Sequence, residues 1–125
     1  MSMKSDVWEF QIATGQFTDY QPPHNFYLGL IEEEFEELKD AVSVNDPIEE
    51  LDACMDLIYV VLGHCIQRGF DIDGAWAEVQ RSNMAKIDPS TGKVKRREDG
   101  KILKPADWTS PNLTPFIGNN KGAAL

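Results

Sequence analysis

The strongest periodic signal in the chain runs from Phe26 to Val42, where Ile31, Phe35, Leu38 and Val42 recur at the three- and four-residue spacing of one helix face. Asn45, Asp46 and Pro47 then end that pattern with a turn and open the next helix, with Asp46 as its N-cap and Pro47 as its first helical residue. From Leu51 to Ile66 the second helix is apolar nearly all round, as expected of a helix buried on most sides, and it runs to about Arg68 before Gly69 stops it. A short helix over 5–13, capped by Ser5, is predicted before this pair, followed by a loop from Thr14 to Asn25 that contains Gly15, Pro22 and Pro23. A further helix, capped by Asp73, passes through Trp76, Val79 and Met84 to Lys86. Beyond Asp88 the Pro, Gly, Lys and Asp content predicts an extended tail with a small hairpin at Glu98 to Lys101. No other segment reads as a strand. The expected fold class is therefore all-α: one antiparallel helical bundle over 1–125, with a helical core at about 5–88 and a tail at about 89–125.

Composition narrows the partners. The hydrophobic share of 42% and charged share of 26% are those of a globular chain, and no stretch has the roughly 18 apolar residues of a membrane span. The opening residues lack a basic region followed by an apolar one, which predicts a cytoplasmic protein, or a host-cytoplasmic one if the chain is phage-encoded. Cys54 and Cys65 lie roughly 16 Å apart along one helix, too far to bridge each other, and read as thiols of a reducing compartment. A net charge of −9 argues against nucleic acid as a partner. The charge is divided, however: acidic residues crowd Glu32 to Asp56, while 86–104 carries seven of the twelve Lys and Arg residues. One region suits cations and the other suits anions.

On the first long helix, glutamates fall into two sets. Glu34 and Glu37 align with Tyr27, Leu30 and Ala41 on a second, partly apolar face, whereas Glu33, Glu36 and Asp40 point away from the Ile31/Phe35/Leu38/Val42 stripe. A glutamate-rich helix is by itself an ordinary solvated surface. The next helix changes that reading, because it carries Asp52 and Asp56 in adjacent turns of an otherwise apolar segment, with no Lys or Arg between Lys39 and Arg68. Buried carboxylates without a partner cost several kcal/mol, so a divalent cation is the economical counter-charge, and hard oxygen donors select Mg²⁺ or Mn²⁺. The short turn makes the two helices antiparallel and can bring Glu34 and Glu37 opposite Asp52 and Asp56. Further on, Asn83 and Lys86 share a face near a helix C-terminus and suit phosphate or sugar oxygens. Lys93, Lys95, Arg96, Arg97, Lys101 and Lys104 add positive charge that could close over a polyphosphate.

Together these residues resemble the MazG-like all-α NTP pyrophosphohydrolase superfamily, which includes phosphoribosyl-ATP pyrophosphohydrolases and dimeric dUTPases. The resemblance spans roughly Val7 to Leu113. Glu33, Glu34 and Glu37 form its Glu-Glu-x-x-Glu signature, Asp56 to Gly63 resembles the segment after its metal-binding aspartate, and Asn83 to Lys86, Glu98 to Pro105 and Trp108 resemble the substrate-closing segment of phage and bacterial members. One position departs: where the family places a glutamate, three residues before the aspartate, this chain has Ala53. Either Asp52 takes that role, or the motif is shifted back a turn to Glu49 and Asp52, with Asp56 as an extra ligand.

The resemblance implies cleavage of a (d)NTP to a (d)NMP and pyrophosphate, with two or three Mg²⁺ (or Mn²⁺) ions held by Glu33, Glu34, Glu37, Glu49, Asp52 and Asp56. Glu34 or Glu37 would orient or deprotonate the attacking water. Asn83, Lys86, Lys101, Lys104 and Trp108 would contact substrate. Trp8 and Phe10 are further aromatic candidates for stacking on the base, with core packing as their plainer role. A purine deoxynucleotide such as dGTP is the first substrate candidate, and dUTP, dCTP or phosphoribosyl-ATP are alternatives, the last disfavoured by the Lys- and Gly-rich extension. A non-catalytic module that binds metal and nucleotide is the reading of another class. Members usually assemble as homodimers or homotetramers, and a large apolar surface in so small a chain agrees with that.

Overall fold

The computed structural model describes residues 2–17, 22–23 and 25–118. Parts of the predicted 14–25 loop and the last seven residues of the predicted tail lie outside the described residues. Among the described residues four helices dominate: α1 (Met3–Ala13), α2 (Phe26–Ser43), α3 (Pro47–Gln67) and α4 (Ile72–Met84). A two-stranded antiparallel ribbon, β1 (Lys95–Arg96) and β2 (Ile102–Leu103), and a 3₁₀ turn at Thr114–Phe116 follow among the described residues. The all-α expectation holds.

The α2–α3 hairpin is the central unit, and its turn follows from three residues. Asn45 takes a left-handed φ of +54°, which asparagine tolerates, so that its N–H and that of Asp46 bond back to the carbonyls of Val42 and Ala41. Asp46 then caps α3 by accepting from the Glu49 N–H at 3.1 Å, and Pro47 fills the first helical position. One short turn thus ends α2 and begins α3, folding them back antiparallel. Gly69, at φ +72°, closes α3 by the same wrapped pattern, with Gly69 and Phe70 N–H groups on the Ile66 and Cys65 carbonyls.

Two predicted caps are displaced. Helix α1 starts at Met3 with Ser2 as its cap, and Ser5 sits three residues in, returning the bond in a reciprocal capping box. Helix α4 is capped by Asp71, which accepts from the Gly74 N–H at 3.0 Å, while Asp73 lies inside the first turn and pairs with Lys4 of α1. In both cases two polar residues compete for one helix start, and the outer one wins.

The larger correction concerns which faces pack. Helices α1, α2 and α4 all contact α3. The α2 residues buried by this packing are Tyr27 and Ala41, on the face shared with Glu34 and Glu37. Part of the apolar stripe is turned outward: Phe35 and Val42 are at least half exposed, while Ile31 and Leu38 are partly buried. Helix α3 likewise buries Ala53 and Gly63 but leaves Ile48, Leu51, Met55 and Ile58 exposed, so it is not enclosed on most sides within one chain. Trp8 and Phe10 are also half exposed and sit against Phe17 and Tyr59 rather than in a core. The reason is volume, since small residues let α2 and α3 approach closely and the bulky residues have no third layer to meet.

A polar knot fixes the position of α1. Gln11, 1% exposed, donates from Nε2 to the Tyr27 hydroxyl at 2.9 Å and to the Gly63 carbonyl at 3.0 Å, and its Oε1 accepts from Gln67 Nε2 at 2.9 Å. Tyr27 in turn donates to Gln16 Oε1 at 2.7 Å. Both the amino group and the carbonyl of the Gln11 amide are engaged, which is how a buried amide becomes a specific joint between three helices rather than a penalty.

The segment after α4 is more ordered than an extended tail. Asp88 pairs with Lys93 in a bridge, β1 and β2 flank the predicted turn with Gly100 at φ +86°, and residues 105–116 return along α4. Among the described residues, no helix is long and apolar enough to cross a membrane.

Candidate active site

The carboxylates follow from the hairpin register. Tyr27 meets Gly63 where α2 and α3 touch. Seven residues onward in α2 is Glu34 and seven residues back in α3 is Asp56; a seven-residue step stays on the same helix face, so the two carboxylates are brought opposite one another. Their electrostatics agree. Glu34 is raised to about 7, first by burial, then by a hydrogen bond to Glu37 and by the charges of Glu37, Asp56 and Asp52. Asp56 is also raised, by burial and then by Asp52 and Glu37.

Glu34, Glu37, Asp52 and Asp56 therefore form one mutually repelling group. Among the described residues, Glu34 Oε2 is buried without a hydrogen-bond partner. A buried acceptor with no donor and neighbours of its own sign is held at a cost that a proton or a cation removes. Among the described residues, no three Asp, Glu, His or Cys side chains already converge as a finished cation cage. The donor set is nonetheless all oxygen, of the kind that hard divalent ions take.

Glu33 and Glu49 are not among the charges that raise Glu34 or Asp56. Glu33 is exposed on α2, and Glu49 is exposed in the first turn of α3, where its backbone N–H serves the Asp46 cap. Asp52 is exposed rather than buried as its apolar neighbours suggested, yet it acts on both Glu34 and Asp56. Ala53, at the family's glutamate position, is 2% exposed and packed into the α2–α3 interface. Its small side chain is what the close approach of the helices requires.

A separate cluster of predicted substrate contacts gathers at the end of α4. Lys86 Nζ donates to Asn83 Oδ1 at 3.1 Å. Lys104 and Lys86 stand 4.5 Å and 5.7 Å from the Trp108 ring centre, so the indole collects two ammonium groups by cation–π attraction. The indole N–H is committed elsewhere, donating to the Ser82 carbonyl at 2.6 Å, one of the last-turn carbonyls that a helix leaves without a partner. Lys101, by contrast, lies exposed in the ribbon turn.

Two grooves border this cluster. One of about 950 Å³ is lined by Lys86, Lys93, Lys95 and Lys104 and also by Asp88 and Asp107. The other, of about 550 Å³, is bounded by Asn83, Lys86, Lys93 and Arg96. Lys101 and the four carboxylates line neither. The sequence marked Lys93 and Lys95 only as tail charge. Their one-residue spacing in extended chain, which points both side chains to one face, was the available signal.

No curated protein matches the chain. The phosphoribosyl-ATP pyrophosphohydrolase family model matches residues 12–83, a span that holds α2, α3, all four coupled carboxylates and Asn83. That is more than half of the sequence. The chain thus belongs to the phosphoribosyl-ATP pyrophosphohydrolase family of the MazG-like all-α NTP pyrophosphohydrolases, enzymes that release pyrophosphate from a nucleotide-like substrate.

Proposed function

We propose that this protein hydrolyses a nucleoside triphosphate between its α- and β-phosphates, giving a monophosphate and pyrophosphate, with a purine deoxynucleotide such as dGTP as the first substrate candidate. The observation that carries this reading is the group of Glu34, Glu37, Asp52 and Asp56, in which the buried Glu34 Oε2 has no donor among the described residues and Glu34 is raised to about 7. Such a group fits Mg²⁺ or Mn²⁺, held by Glu34, Glu37, Asp52 and Asp56 with Glu33 and Glu49 as outer candidates. Bound there, the ion would supply positive charge to the phosphates and acidify a coordinated water. Two or three ions per site are proposed by analogy with the superfamily.

The chain's own residues do the rest. Glu34 or Glu37 takes the proton from water as its oxygen bonds to phosphorus and the bond to the pyrophosphate leaving group breaks. Lys86, Lys104 and the Asn83 amide bind phosphate or sugar oxygens, and Trp108 holds the two lysines together. Lys101 is a weaker candidate from its place in the turn. Phosphoribosyl-ATP is kept as a second substrate reading because the family match itself favours it; dUTP and dCTP remain alternatives by resemblance.

We also propose a homodimer or homotetramer, supported by the outward stripe of Phe35, Val42, Leu51 and Met55, apolar side chains that a solitary chain leaves in water. The deciding experiment is pyrophosphate release from the common ribo- and deoxynucleoside triphosphates with Mg²⁺ and with Mn²⁺, identifying the nucleotide product. One favoured substrate yielding monophosphate establishes the reaction and the base. Silence with all of these and with phosphoribosyl-ATP leaves a non-catalytic binding module.

A further inference from the structure

Residues 108–118 run back along α4 and are fastened to it at successive points. Trp108 Nε1 donates to the Ser82 carbonyl at 2.6 Å. One turn earlier on the helix, Glu78 Oε2 accepts from the Asn112 backbone N–H at 2.9 Å, while its other oxygen takes Arg81 Nε at 2.5 Å. At the start of α4 the Phe116 carbonyl accepts from the Asp71 N–H at 2.8 Å, and a Cβ on Gly74 would lie 2.6 Å from Cδ1 and Cε1 of the Phe116 ring. The absence of a side chain at Gly74 is therefore what seats that ring. Glu78 is the other specific element: its side chain is only 18% exposed, and it ties a backbone amide of the returning segment to a helix whose Arg81 holds the carboxylate in place.

The geometry points to this segment as a strap, with Glu78 and Gly74 as positioning residues for the Lys86–Trp108–Lys104 phosphate-binding cluster. The inference rests on the phosphate-binding role given above to those lysines. Lys104 reaches its place through Trp108, and the indole is tied to α4 by its hydrogen bond to Ser82. The Asn112–Glu78 bond and the Phe116 seat hold the chain on the far side of the indole, so the ring stays over the end of α4 instead of swinging outward. Neither Glu78 nor Gly74 belongs to the carboxylate group or lines the lysine grooves.

The test compares the full-length protein with Glu78→Ala, Glu78→Gln and Gly74→Ala, measuring inorganic tripolyphosphate binding by calorimetry and nucleotide KM and kcat separately. Loss of a hydrogen bond to a charged acceptor is expected to weaken tripolyphosphate binding by roughly tenfold in Glu78→Ala, with Gly74→Ala similar, KM raised in parallel and kcat nearly unchanged. Glu78→Gln keeps one acceptor, for the Asn112 N–H, but turns its NH2 group toward Arg81 Nε, so it should restore part of the affinity. A Cβ at Gly74 would also stand 2.6 Å from Oδ2 of Asp71, the α4 cap, so helix content of Gly74→Ala is measured by circular dichroism and Glu78→Ala, which touches no cap, carries the test. Unchanged tripolyphosphate affinity in both Glu78→Ala and Gly74→Ala overturns the strap, as does a loss confined to kcat. If no nucleotide is hydrolysed but tripolyphosphate binding still depends on Glu78 and Gly74, the hydrolase reading fails and the strap stands. If the wild type hydrolyses nucleotide and the variants bind and turn over as it does, the strap fails and the hydrolase reading stands.

Discussion

Tyr27 occupies the space that a side chain at Gly63 would need: a Cβ there would stand 2.6 Å from Tyr27 Cε1 and 3.0 Å from Gln11 Nε2. The tyrosine cannot yield easily, because its hydroxyl is held by Gln11 and Gln16 and it is 8% exposed. Gly63→Ala gains up to about 1 kcal/mol of helix propensity but overpacks this contact, and overpacking typically costs about 1–3 kcal/mol. A net loss of stability is expected, read as a lower melting temperature. Since the same contact sets the α2–α3 register, turnover should fall with it; an unchanged melting temperature would show that the helices do not meet there.

Glu37→Gln or Asp56→Asn should reduce turnover by at least about 100-fold, the scale of a lost general base or electrostatic group. The fold should remain, because neither carboxyl is a cap or a packing residue. Each change also removes a like charge beside Glu34. The metal-free variants should therefore melt a few degrees higher than wild type, on the order of 2–5 °C. Near-normal turnover in either variant removes that residue from the working group.

Glu34 sets the expected pH dependence. Its folded-state pKa is raised to about 7 from 4.5. The folded protein thus holds a proton that the unfolded chain releases, and between those values stability falls as pH rises. Asp56, raised by burial and like charge, acts in the same direction. Relative to Glu34→Gln, metal-free wild-type protein should accordingly lose melting temperature as pH is taken from about 4.5 to above 7. Mg²⁺ competes with that proton, so its stabilising effect should grow over the same window. Burial and Arg68 lower His64, which works in the opposite direction over part of this window, so the comparison is with Glu34→Gln: a variant with the same pH dependence as wild type, without metal, contradicts the carboxylate arrangement.

Leu51 and Phe35 are the probes of assembly. Both are at least half exposed on the outward face of the hairpin. If that face is the contact between copies, Leu51→Glu or Phe35→Asp should shift the sedimentation coefficient to that of a 14.1 kDa monomer and lower thermal stability. A wild-type protein that already sediments as a monomer rules the contact out.

Much of this molecule is written locally. The Asn45-Asp46-Pro47 turn fixes where α2 ends, where α3 begins and that they run antiparallel, because a left-handed asparagine, a capping aspartate and a proline each admit few conformations. Glu34, Glu37, Asp52 and Asp56 could be named from helical spacing, and Gly100 placed the ribbon turn. Which helix face turns inward was not local. Both the Ile31/Phe35/Leu38/Val42 stripe and the Tyr27/Ala41 face have helical periodicity; burial went to the face whose small partners, Ala53 and Gly63, allow close approach, and that choice depends on two helices at once. The exposure of Asp52 and the return of residues 105–116 along α4 were likewise decided by contacts between segments distant in sequence. Periodicity reports what a helix offers on each side, and only the packed structure reports which side was taken.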